Sequence, residues 1–69
     1  MSDLRLIVNG ELRNLPGPAK VTDLLTHLGL DPRMVVVEVN REIVRRPRLP
    51  EVDLKDGDMV ELVHFVGGG

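Results

Sequence analysis

The chain ends Val66-Gly67-Gly68-Gly69, and the group there that can do chemistry is the α-carboxyl of Gly69. Such a group ionises at roughly pH 3.5, so at neutral pH it is a carboxylate whose delocalised charge protects the carbon from nucleophiles. It reacts only after one oxygen has become part of a leaving group. A glycine at the reacting position leaves the carbonyl without a neighbouring side chain, and the glycines before it let the backbone enter a narrow slot. These residues suit a reactive carboxylate on a tether. A frayed chain end is the alternative reading of the same three glycines.

The other polar groups offer less. His27 and His64 have no ligand-like spacing to any acid and read as solvated or hydrogen-bonded histidines, so no metal site is expected. Glu38, Glu42 and Glu61 could pair as carboxylates, but glutamates on strand faces are usually solvated and no pocket is implied. The absence of cysteine removes disulfides, thiolate zinc sites, a cysteine nucleophile and cysteine-ligated iron–sulfur clusters. The glycine-rich end is no phosphate loop, since it lacks the following helix and lysine. With no nucleophile–base constellation, a hydrolase or transferase has no support. Arg45, Arg46 and Arg48 form a basic cluster in a chain of net charge −2. It is either a solvated loop or a site of electrostatic docking onto an acidic enzyme surface. A net negative charge and the lack of interleaved aromatics argue against nucleic-acid binding.

The elements that must position these groups follow from patterning. With 69 residues, 42% of them hydrophobic, the chain reads as one domain with an aliphatic core containing one Phe and no Trp or Tyr. No stretch approaches the roughly 20 apolar residues of a membrane span, and Met1-Ser2-Asp3-Leu4-Arg5 lacks the basic start and apolar centre of a signal peptide. A cytoplasmic protein that does not engage a membrane is expected. Leu4 to Val8 is an aliphatic strand ending in Asn9-Gly10, the strongest two-residue hairpin signal, and Glu11 to Leu15 can return antiparallel to it. Leu4, Leu6 and Val8 share the face expected to enter the core. Pro16-Gly17-Pro18 ends the ribbon. Val21, Leu24, Leu25 and Leu28 have the spacing of a short amphipathic helix, with Asp23 in its first turn, Gly29 suited to the left-handed cap, and Pro32 preventing continuation.

Met34 to Val39 reads as a third strand, Glu42 to Val44 as a short return and residues 45–50 as a proline-rich loop. Leu54 is expected to plug the core before the Lys55-Asp56-Gly57-Asp58 turn, and Met59 to Val66 is the last strand. One helix among five strands implies an α+β fold, in which a mixed sheet of four to five strands packs on that helix. The first and last strands should be central parallel neighbours joined through a crossover. This is the β-grasp, or ubiquitin-like, arrangement, with residues 1–66 as the domain and 67–69 as a flexible tail. The uncovered face is expected to carry Ile7, Val63 and Phe65 near the exit of the tail, where an exposed apolar group can receive a partner.

The segments Val8-Asn9-Gly10-Glu11, Val21-Thr22-Asp23-Leu24-Leu25 and Leu28-Gly29-Leu30 carry a resemblance that continues through Val39-Asn40-Arg41-Glu42-Ile43-Val44 with Arg46. It runs on through Leu54-Lys55-Asp56-Gly57-Asp58, Val60-Glu61 and Phe65-Val66-Gly67-Gly68-Gly69. Over nearly its whole length the chain resembles the ThiS family of sulfur carrier proteins. That resemblance implies a protein co-substrate and not an enzyme. The family's C-terminal glycine is adenylated by a ThiF-like, ATP-using enzyme. It is then converted to a thiocarboxylate with sulfur drawn from a donor system, and it delivers that sulfur to thiazole synthase, ThiG, for thiamin. Carried over, the reacting residue is Gly69, supported by Gly68; the open face and the basic cluster add Ile7, Val63, Phe65 and Arg46, and the tail Gly67, as partner-binding candidates. No cofactor is expected on the carrier itself, since ATP is used by the activating partner, and the free chain is expected to be a monomer. Two departures bear on docking: Arg45 stands where the family often has proline, and Asn40-Arg41 replaces a common Asn-Gly turn. MoaD-type carriers for molybdopterin synthesis or tRNA thiolation share the fold and the Gly-Gly end. A non-covalent ubiquitin-like module is the remaining alternative.

Overall fold

A computed structural model describes residues 3–65. Strand β1, Asp3–Val8, turns at Asn9-Gly10 into β2, Glu11–Pro16, and the two pair antiparallel along their whole length. Asn9 at φ 50° and Gly10 at φ 82° both occupy the left-handed region, which matches the hairpin twist. Helix α1, Val21–Leu28, is entered through Asp23, whose Oδ2 accepts the Lys20 N–H at 2.7 Å. It ends on Gly29 at φ 71°, where the Gly29 and Leu30 N–H groups donate to the carbonyls of Thr26 and Leu25. These two bonds are the Schellman pattern and satisfy carbonyls that the last turn would otherwise leave open.

A single 3₁₀ turn, Pro32–Met34, follows before β3, Val35–Val39, and a second two-residue turn leads into β4, Glu42–Val44. The expected start of β3 at Met34 is therefore one residue early. Asp31 caps that turn by accepting the Arg33 N–H, so the backbone closes a turn where the aliphatic run alone suggests strand. The proline-rich loop contains another 3₁₀ turn, Arg46–Arg48, and the last strand, β5, is Met59–His64. Phe65 lies beyond it, and Val66 lies outside the described residues.

The sheet order is β2-β1-β5-β3-β4, with β1 and β5 parallel at the centre and the other pairs antiparallel. This is the β-grasp arrangement expected from element order. Leu6 and Val8 of β1, Val35 and Val37 of β3, and Val60 and Leu62 of β5 form one buried cluster with Val21, Leu24 and Leu25 of α1. Leu4 is only half-buried at the rim. Leu54 enters the core as expected, and Leu49, read only as part of the proline-rich loop, is also buried, 2% exposed at the end of the arginine-rich turn. Burying a leucine side chain stabilises the fold by about 2 kcal/mol, so this loop is anchored and not merely draped.

Candidate functional site

The glycines expected to react follow β5 in sequence, and the structure is most specific about how that strand is held. On one side Ile7 and Val8 of β1 pair with Met59 and Val60. On the other, five residues of β3 pair with Val60 through His64. Among the described residues the last backbone hydrogen bond runs from the Phe65 N–H to the Met34 carbonyl at 3.0 Å. Gly67, Gly68 and Gly69 lie outside the described residues.

Both hairpin asparagines also grip β5. At Asn9 the chain leaves β1, and its side-chain amide takes over the ladder: Oδ1 accepts the Leu62 N–H at 2.7 Å and Nδ2 donates to the Leu62 carbonyl at 3.0 Å. The Asn9 N–H itself donates to the Val60 carbonyl. On the other side Asn40 Oδ1 accepts the Met59 N–H at 3.0 Å, and the Asn40 N–H donates to the Met59 carbonyl at 2.7 Å. An amide side chain carries one acceptor and two donor hydrogens, which makes it a short substitute for a peptide group. Sequence reasoning assigned these asparagines to turns alone. Their second role depends on β5 lying between the two hairpins, for which no local signal exists.

Of the partner-binding candidates, Val63 and Phe65 lie on the open face as expected. Val63 is 61% and Phe65 46% exposed, and Val63 faces Val36 across the sheet. Ile7 shares that face but not that place. It pairs with Met59, four residues before Val63, so it stands about 13 Å back along the strand, away from the exit of the tail. The expected grouping of Ile7 with Val63 and Phe65 is thus corrected by the register of the parallel pair, which is set by the crossover and not by either strand. Ile7 instead adjoins Met59 and Leu12.

Arg46 does approach the exit. A groove of about 530 Å³ beside β3 is lined by Arg33, Val36, Ile43, Arg45, Arg46 and Phe65, among others. Arg33 donates through Nε and Nη2 to Asp31 at 3.1 and 2.8 Å. Those bonds, with the Arg33 backbone bond and the nearby charges of Arg33 and Arg46, hold the Asp31 carboxyl down to about 2. Arg48 turns away to Glu51 at 3.1 Å, whereas Arg45 and Arg46 enter no ion pair among the described residues. The basic cluster therefore divides, and its free half borders the groove by Phe65. His27 lies exposed in the last turn of α1, and His64 lies exposed at the end of β5 on the helix side, beside Asn9 and Leu30. Among the described residues no three His, Asp or Glu side chains converge as a metal site would need, and no helix is long and apolar enough to cross a membrane.

With a strand clamped on both sides and a glycine end beyond it, the comparison with known proteins is decisive. The model of the ThiS family matches residues 6–69. The chain belongs to the ThiS family. It is 49% identical over 49 residues to the sulfur carrier protein ThiS of Bacillus subtilis, covering 71% of this chain and 74% of that one. A crystal structure of the thiamine biosynthesis protein ThiS from Geobacter metallireducens superposes with a TM-score of 0.80 at 38% identity, covering 96% of this chain and all of that one. A further relative, a thiazole synthase of Paramagnetospirillum magneticum, is 46% identical over 66 residues, which is 96% of this chain but 20% of that protein. The chain thus spans about a fifth of the length of that relative. The chain is thus a ThiS-family β-grasp domain, similar to proteins that are sulfur carriers.

Proposed function

We propose that this ThiS-family chain carries sulfur for thiamin biosynthesis as a thiocarboxylate on Gly69. The carrying observation is that the family match runs through the glycine end to residue 69. In the first step a Gly69 carboxylate oxygen attacks the α-phosphorus of ATP on a ThiF-like partner, and pyrophosphate leaves. Sulfide, or a donor persulfide whose S–S bond a thiol then reduces, attacks the activated carbonyl, and AMP departs with the carboxylate oxygen it acquired. The product is a thiocarboxylate, one sulfur in place of one oxygen. On a thiazole synthase the sulfur attacks an electrophilic carbon of the bound substrate, and cleavage of the acyl–sulfur bond by water or by an oxygen of that substrate returns the tail to a carboxylate. The carrier supplies no acid, base or metal. Its contribution is placement: β5 is fixed up to Phe65, and four residues reach at most about 14 Å beyond it.

The relative in which a closely similar stretch belongs to a thiazole synthase chain supports the synthase as acceptor. Arg45 and Arg46, with Val63 and Phe65, suit a docking surface close to the reacting end. The test is co-expression with a ThiF-like enzyme and a sulfur source, followed by intact mass. The full chain should gain the sulfur-for-oxygen difference, and a chain lacking Gly69 or extended past it should not, while keeping its fold. Loading of the truncated chain would sink the mechanism. An unchanged mass for the full chain would favour a non-covalent module, and adducts of protein size would favour conjugation.

A further inference from the structure

On the open face, Glu38 of β3 stands directly opposite Glu61 of β5. Val37, Val60 and Leu62 are buried, so strand alternation turns both glutamates to the other side. Directly opposed side chains have Cβ atoms about 5 Å apart, and like charges so placed destabilise a sheet. Neither glutamate enters an ion pair among the described residues. The ion pairs among the described residues join Arg5 to Asp56, Arg13 to Glu11, Lys20 to Asp53, Arg33 to Asp31 and Arg48 to Glu51. The two glutamates are left to water at the centre of the sheet, and apolar groups surround them. Met59 and Val63 flank Glu61 along its strand, Val36 flanks Glu38, and Ile43 lies across from Glu38 on β4. These four are 45%, 61%, 41% and 65% exposed.

We propose that this face receives a thiazole synthase through an arginine that the synthase carries at the centre of an apolar surface and seats between Glu38 and Glu61. Covering the four apolar side chains removes water from the carboxylates, and two buried unpaired charges would cost more than the apolar contact contributes. A neutral or acidic surface is therefore rejected, and a cationic one is selected. A planar guanidinium can bond both carboxylates at once, which a lysine ammonium does less well. The same face runs on to Phe65, so a partner seated there stands at the root of the tail. The positive edge formed by Arg45 and Arg46 lies on the β4 side of the glutamate pair, and two opposite charges on one face fix the orientation of the partner.

The proposal rests on the sulfur-carrier reading, and the experiment separates the two. The full chain and the variant E38Q/E61Q are each titrated with the thiazole synthase of the same organism by calorimetry, at low and high salt, with intact-mass loading measured in parallel. The variant should bind about tenfold or more weakly and with less salt dependence. Its thermal midpoint when free should not fall, since a like-charge pair has been removed. Unchanged affinity and salt dependence in the variant would overturn the proposal, as would failure of the unaltered chain to bind the synthase at all. So would a concentration-dependent dimer of the free chain that the double substitution abolishes, since the face would then belong to a second copy. Failure of the unaltered chain to acquire sulfur would instead overturn the carrier reading, whatever the affinities.

Discussion

Replacing Asn9 by alanine tests whether a turn residue holds the strand that carries the tail. The side chain makes two hydrogen bonds, to the N–H and the carbonyl of Leu62, both partly buried and spanning 53 positions of sequence. Losing them at about 1 kcal/mol each, and placing alanine at φ 50° for about 1 kcal/mol more, gives a destabilisation of about 3 kcal/mol. Domains of this size are stable by roughly 3–10 kcal/mol, so Asn9→Ala removes a large fraction. Urea unfolding followed by circular dichroism should show it, with a thermal midpoint lower by roughly 10–20 °C. Hydrogen exchange adds a local readout, because the Leu62 amide should lose protection more than the amides of Val36 or Val37. Below its midpoint the variant should still load Gly69, since the β3 pairing up to His64 and the Phe65–Met34 bond remain. Stability within about 0.5 kcal/mol of the unaltered chain, or unchanged protection at Leu62, would refute the clamp.

Arg41 adopts φ 72°, so Arg41→Gly should raise stability by about 0.5–1 kcal/mol, the left-handed strain relieved less the entropy of glycine, as read by chemical denaturation. Leu49→Ala should cost about 2–4 kcal/mol by the same measurement, because the side chain is buried although its loop looks exposed in sequence. Asp31 titrates at about 2 in the folded chain against an ordinary value of 3.8, so the folded form binds fewer protons. Its contribution is present above about pH 3.8 and lost as pH falls toward 2, and Asp31→Asn should flatten the acid side of a stability–pH profile in that window. Arg46→Glu should slow adenylation by the activating enzyme and reverse the sign of its salt dependence, while the thermal midpoint changes little.

Much of the fold was legible because its signals are local. Asn9-Gly10 and Asn40-Arg41 dictate tight turns through backbone conformation within two residues. Val21, Leu24, Leu25 and Gly29 specify a helix and its end within nine. Leu49 was not legible, because no periodicity marks a single core residue among prolines and arginines. Nor was the 3₁₀ turn at Pro32–Met34, because it depends on one Asp31 carboxylate reaching back to the Arg33 N–H.

The sequence by itself determined the order of elements, the aliphatic core faces of β1 and β5, and a glycine end a few residues after the last strand. Only the tertiary structure decided what stands beside that strand. It moved Ile7 away from Val63 and Phe65, set Glu38 against Glu61, and brought Asn9 and Asn40 onto opposite edges of β5. The physical reason is common to all three. They depend on register between segments tens of residues apart, and backbone hydrogen bonds, which are alike for every residue type, do not write that register into either segment alone.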